Sequence, residues 1–299
     1  MPWYTFRRSG DALLTLAHTA QGITYAVLAA LPQFHPGHIP VTLQTPDGRP
    51  GLNTTTYSVE TLFSANIVAM VATFFLVTGV FHAIRAFLGQ SIPEFDELVS
   101  KGRSGAESVA VLKRVSDRRD GDRMLRWWEY AVSSTIMIYV IALIAGVSDL
   151  YTLAGFGAAN FGMIMFGRAG DLVLEVNGKW MTFAFGTAIG LAPWLCIIAS
   201  TTILAVRAGA TAIPFVLSIT ITLFVLFFSF SVAEVMYIRS FNKNTSVITV
   251  DEEGKGKSLM RNVVDAEVQR EKTEVVYQIL SAVAKTVLGG LVAGAMLSV

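Results

Sequence analysis

Apolar positions gather into seven long runs, at roughly 11–31, 59–84, 125–147, 150–167, 180–206, 211–238 and 274–297, separated by polar or charged stretches. A helix needs about 20 mostly apolar residues to cross a hydrocarbon core. The pattern therefore predicts an all-α membrane protein, one seven-helix bundle occupying residues 1–299. The fourth run is the shortest, and its small residues Gly155, Gly157, Ala158, Ala159 and Gly162 suit close helix–helix contact in lipid. The first opens with Asp11, holds His18 and Gln21, and lacks an Ala-x-Ala cleavage site. It reads as a retained helix, not a signal peptide.

The loops carry their own signals. In the outer loop 32–58, two β-prone stretches flank Pro46-Asp-Gly-Arg-Pro-Gly51 and predict a hairpin over 41–57. Asn53-Thr54-Thr55 fits the pattern of a glycosylation acceptor. The inner connections are 85–124 and 239–273, and the stretch 242–272, centred on Asp251-Glu-Glu-Gly-Lys-Gly-Lys257, reads as a flexible, solvated link. No internal repeat is visible.

Charge decides which way the bundle faces. With the N-terminus in the cytosol, 20 of the 23 Lys and Arg fall on inner segments and only Arg49 and Arg207 outside. Arg7, Arg8, Arg85, Arg126 and Arg239 lie close to span ends, where the positive-inside rule counts most. The expected topology is N-inside, C-outside.

Composition narrows the function classes. Charged residues make up 15% of the chain, against roughly 25% in a soluble domain. A net charge of +1 provides no basic surface for nucleic acid. One cysteine, Cys196, allows neither an intrachain disulfide nor a cysteine metal site. The four histidines (His18, His35, His38, His82) lack metal-ligand spacing. No metal site, no catalytic constellation and no enzyme is expected.

The twenty-third basic residue is the exception. Lys285 lies deep in the last span, where an unpaired ammonium costs at least ~3 kcal/mol. A snorkelling lysine would sit near a helix end. This one needs a carboxylate partner, or its amine has been converted, as in a Schiff base with an aldehyde. The third span offers Arg126-Trp-Trp-Glu129-Tyr-Ala-Val-Ser133-Ser134. Glu129 is the best available partner; Ser133, four residues on, shares its helix face, and Arg126, three residues before, can neutralise spare negative charge. Glu60, Asp149, Asp171 and Glu234 fall near span ends.

Seven spans with a lone lysine in the last and Arg-x-x-carboxylate in the third resemble the microbial rhodopsins, and more narrowly the heliorhodopsins. Arg126-Trp-Trp-Glu129-Tyr, Phe161-Gly-Met-Ile-Met-Phe-Gly167, Gly178-Lys-Trp180, Pro193-Trp194 and Ser281-x-x-x-Lys285 are similar to heliorhodopsin segments, as is the inverted topology. The resemblance implies all-trans-retinal bound covalently to Lys285 as a protonated Schiff base, Glu129 as counterion, and Ser281 and Ser133 as hydrogen-bond partners. It implies an inner polar cluster of His18, His82 and Arg126, a retinal pocket including Ser134, Met137, Asn160, Met163, Trp194 and Phe228, and a homodimer. Ser281 stands where pumps carry an aspartate, and Ser229 where heliorhodopsins are expected to carry an asparagine. The charged stretch near 100–123 is long for the family.

A proton pump needs donors and acceptors on both sides of its switch. Here the ionisable groups gather on the inner side, while Val287–Met296 in the outer half of the last span has none. A light sensor without net pumping, acting in the bilayer on an unknown signalling partner, is the favoured reading. A light-gated proton channel, extended by Glu234 and Asp171, and a seven-helix protein that binds no retinal are the rivals.

Overall fold

The computed structural model describes residues 2–32, 38–47, 56–88, 106–173, 176–208, 213–248 and 256–297, with side chains over 9–32, 38–45, 58–87, 120–173, 177–207, 217–239 and 272–294. The turn at 48–51, the Asn53 acceptor pattern, residues 251–255, the side chains of Arg7 and Arg8, and most of the charged stretch before 120 lie outside the described residues.

The elements in chain order are α1 (Pro2–Ala30), β1 (His38–Asp47), β2 (Thr56–Asn66), α2 (Ile67–Leu88), α3 (Ala106–Ile144), α4 (Leu150–Leu172), α5 (Val176–Ala208), α6 (Ile213–Ile248) and α7 (Gly256–Leu297). Among the described residues seven helices are long and apolar enough to cross a membrane. Each packs on the next in sequence, and α7 returns to touch α1 and α2, closing the bundle.

Several boundaries differ from the sequence expectation: α3 begins at Ala106 instead of near 125, so part of the connection expected at 85–124 is helical. The second span begins at Ile67, not near 59, because Thr56–Asn66 is a strand. That segment alternates Val59, Thr61, Phe63 and Ala65 with Ser58, Glu60, Leu62 and Ser64, which is a two-residue period rather than a helical one. It pairs antiparallel with β1 from His38↔Asn66 to Asp47↔Thr56, with a register slip at Val41/Thr42. The predicted hairpin therefore exists, but with longer arms. The expected flexible link at 242–272 is also corrected: the backbone stays helical to Ile248 and resumes at Gly256. Lys and Glu there are good helix formers, so charge alone did not mark a break.

The hairpin is tied down. Val41 is buried, and the Thr42 amide donates to the Ser148 carbonyl at 2.9 Å in the α3–α4 turn. That turn uses Gly146 at φ +83°, a conformation costly for other residues. Asp149 then caps α4, accepting from the Thr152 amide at 2.8 Å.

The core runs along the bundle axis through Phe74, Phe75, Ile138, Val140, Trp194, Ile197, Leu288 and Val292. Large apolar side chains such as Leu16, Phe87, Leu195 and Val206 face outward, as a lipid-facing surface requires. Of the small residues in α4, Gly157 sits against Tyr139 of α3, where a Cβ would collide with the phenol. Gly155 and Gly162 face open space instead, so the expected small-residue face is divided between an inner and an outer contact.

Candidate functional site

α7 carries Lys285 and α3 carries Glu129 into the middle of the bundle, where they meet. Lys285 Nζ donates to Glu129 Oε1 at 2.5 Å, with the two residues 2% and 0% exposed. Charges this deep persist only when paired. Glu129 is also reached from α2, by Arg85 at 3.9 Å from Oε2 and by His82 Nε2 at 4.0 Å from Oε1.

Behind this pair lies a buried polar network. His82 Nδ1 donates to Asp11 Oδ1 at 2.7 Å, and Gln278 Nε2 donates to the same oxygen at 2.9 Å. Arg85 lies 3.7 Å from Asp11 and 3.5 Å from Asp122. His18 donates from Nδ1 to Gln21 at 2.9 Å and stacks on His82 with ring centroids 5.6 Å apart. His18 and His82 thus fall in one cluster with Glu129.

Arg126 does not join them. It pairs with Glu274 at 3.2 Å and Asp171 at 3.4 Å, its guanidinium stacked on Trp127 and Tyr277. The expected neutralisation of Glu129 by Arg126 is therefore corrected to Arg85. A helix turn places residue i−3 near the same face but not on the same side of a packed neighbour, and Glu274 of α7 captures the guanidinium first. Trp127 Nε1 donates to Asp171 at 2.6 Å, and the Tyr277 hydroxyl donates to Glu234. The Tyr130 hydroxyl, donating to the Tyr277 carbonyl at 3.0 Å, stands between the two clusters.

A cavity opens from Lys285 between α3, α4, α5, α6 and α7. Ser133, Ser134, Met137, Met163, Trp194, Glu234, Tyr277 and Ser281 line it together with Lys285. Most of the wall is aromatic or aliphatic. Two expected wall residues are corrected. Phe228 is 46% exposed on the outer surface, because Leu223, Phe227, Phe230, Ser231 and Glu234 form the inward helical face of α6. Asn160 stands behind the wall, donating to Ser134 at 2.7 Å and Thr135 at 3.2 Å. Ser229 donates to its own helix at Leu226 and does not line the cavity, whereas Ser231 does.

Sequence reasoning passed over Asp11, Arg85 and Gln278 as site residues. One signal was available: Asp11 and His18 are seven residues apart, two turns of one helix face, as are Gln278 and Lys285.

A mostly apolar cavity lined by a buried lysine that is paired with a carboxylate suits an apolar aldehyde.

The heliorhodopsin family model matches residues 109–250, from the start of α3 to just past α6. Lys285 lies beyond that match, so its place rests on the geometry. No curated protein matches the chain. Among solved structures, the crystal structure of a thermophilic rhodopsin aligns with a TM-score of 0.52 and 11% identity, covering 98% of this chain and 92% of that one. Over residues 109–250 the chain is similar to the heliorhodopsin family, and over nearly its whole length it takes the seven-helix fold of that rhodopsin.

Proposed function

We propose that the protein is a light-sensing photoreceptor that holds all-trans-retinal on Lys285, passes a proton from the Lys285 nitrogen to an inner polar cluster, and pumps no ion. The carrying observation is the 2.5 Å contact of Lys285 with Glu129 at the end of the apolar cavity. Retinal, when bound, supplies visible absorption and a light-driven isomerisation. Glu129 stabilises positive charge on the lysine nitrogen and is the nearest base for its proton. Ser133 and Ser281, which line the same cavity as Lys285, are the hydrogen-bond partners this reading gives that nitrogen, and Met137, Met163 and Trp194 keep water from the slot. Arg85 neutralises the second negative charge that Asp11 brings into the cluster.

We further propose that the chain works as one unit with its N-terminus in the cytosol, and that it forms a homodimer. The outward Gly155 and Ala158 of α4 and the exposed Val59, Leu62 and Phe63 of the hairpin support a contact between copies. A cytosolic or membrane partner would receive the signal. Adding all-trans-retinal to expressed protein and recording a visible spectrum tests the reading; no band under conditions where the protein is folded rejects it. A monomeric mass in both mild detergent and nanodiscs rejects the dimer.

A second reading has one observation in its favour. Glu234 borders both the main cavity and a small inner pocket lined by Arg123, Arg126, Asp171 and Glu274. A light-gated proton channel would use that path, and a photocurrent that reverses with voltage would favour it.

A further inference from the structure

Asp11 is a carboxylate buried as deeply as Lys285, at 2% exposure, in a helix whose large apolar side chains Leu13, Leu16, Ile23 and Val27 are exposed. Two donors converge on one of its oxygens, His82 Nδ1 at 2.7 Å and Gln278 Nε2 at 2.9 Å. A carboxylate can only accept, so His82 must carry its proton on Nδ1. In a neutral imidazole, Nε2 is then a lone pair. It has no protein hydrogen-bond partner among the described residues and looks towards Glu129 Oε1 at 4.0 Å. One water or a small side-chain rotation closes such a gap.

We propose that Asp11 is a second carboxylate of the switch: it fixes His82 in the tautomer that accepts from Glu129, and it is the final store for the proton. The inference rests on the photoreceptor reading and deepens it. In the first step the N–H bond on Lys285 breaks and an O–H bond forms on Glu129. In the second, Glu129 gives that proton to His82 Nε2 while the Nδ1 proton of His82 passes to Asp11. Histidine begins and ends neutral with its proton on the other nitrogen. Glu129 returns to carboxylate and Asp11 becomes a neutral acid. The cluster loses no charge.

Arg85 makes the exchange possible. Its guanidinium lies 3.7 Å from Asp11 and 3.9 Å from Glu129, so it faces whichever carboxylate is ionised without moving far. Against His82 itself lie His18 from α1 and Glu129 from α3, while Asp122 of α3 faces Arg85 and Lys285 of α7 faces Glu129. His18 is held by Gln21 instead of a carboxylate, so it lacks the acceptor that would let its Nδ1 proton leave. This distinguishes the two histidines.

Three measurements test the proposal. Nitrogen-15 spectra of imidazole in protein without retinal should show His82 protonated at Nδ1 in the wild type and a mixed tautomer in D11N; an unchanged D11N spectrum overturns the positioning role. With retinal added, light-induced infrared difference spectra should contain a carbonyl band from a newly protonated carboxylic acid. Carbon-13 labelling of aspartate should shift that band, D11N should remove it, and D11E should restore one. A band that moves only with labelled glutamate overturns the storage role. The light-induced near-ultraviolet transient should change in lifetime on the order of a hundredfold in D11N, the low end for a positioned proton acceptor, with recovery in D11E. Failure of the wild type to bind retinal would reject the photoreceptor reading while leaving the tautomer experiment decisive for Asp11.

Discussion

Glu129→Gln isolates the interaction on which the site depends. The amide keeps the shape of the carboxylate and removes its charge. Lys285 would lose the carboxylate partner that lies at 2.5 Å, in surroundings where both side chains are buried. Arg85 would not be stranded with it, because Asp11 at 3.7 Å and Asp122 at 3.5 Å still face the guanidinium. The loss therefore falls on the lysine nitrogen. Removing one partner of a buried pair costs about 3–5 kcal/mol, a factor of roughly a hundred to several thousand in the ratio of charged to neutral amine. With retinal bound, that change moves absorbance from the visible to the near-ultraviolet at neutral pH, or makes colour depend on an added anion. Absorbance spectra of detergent-solubilised Glu129→Gln, with and without halide, measure it directly. Glu129→Asp keeps the charge and should stay coloured, which separates charge from folding. If Glu129→Gln keeps the wild-type spectrum between about pH 5 and 9 without halide, the carboxylate is not what holds the proton on Lys285.

Lys285→Ala should give a folded but colourless protein, read as loss of visible absorbance that added retinal does not restore. Trp194→Ala, opening the wall of the slot, should displace the absorption band, whereas Phe228→Ala on the outer surface should leave it within a few nanometres of wild type. Gly157→Val places a branched side chain against Tyr139 and should destabilise the fold by about 1–3 kcal/mol, seen as a lowered melting temperature in detergent.

The fold was legible because spanning helices are written in long apolar runs, which seven stretches of this sequence supply without ambiguity. The boundary at Ile67 was not, since Val59–Ala65 is as apolar as a helix end and only its two-residue alternation marks a strand. In the site, Lys285 and Glu129 stood out because a charge in an apolar run has few explanations. Asp11 and Arg85 did not, because both lie at span ends, where a charged residue ordinarily faces water. Only the crossing of α1, α2 and α7 turns them inward. Phe228 went wrong for a related reason: in the run Phe227-Phe-Ser-Phe-Ser231 every residue but two is aromatic, so composition gives no face, and the rotation of α6 is set by packing. Arg126 was assigned by spacing within one helix, and the decisive partner, Glu274, came from another.

The two charge networks also bear on transport. Buried cations and anions are matched in both: Lys285 and Arg85 with Glu129 and Asp11, Arg126 with Glu274 and Asp171. All of these groups lie on the side of Lys285 nearer the N-terminal end of α7. Towards its C-terminal end, the next residues on the same face are Leu288 and Val292, both fully buried and packed in the central core with Phe75 and Ile138. A proton leaving the lysine nitrogen finds a neighbouring base and a compensating cation in one direction. In the other it meets two helical turns of close-packed hydrocarbon, where an isolated charge is far less stable. On the proposed function, that directionality is built into the packing of the helices. This asymmetry supports a switch that shuffles its proton within one half of the molecule, and it places on any transporting alternative the requirement that light first unpack the Leu288–Val292 layer.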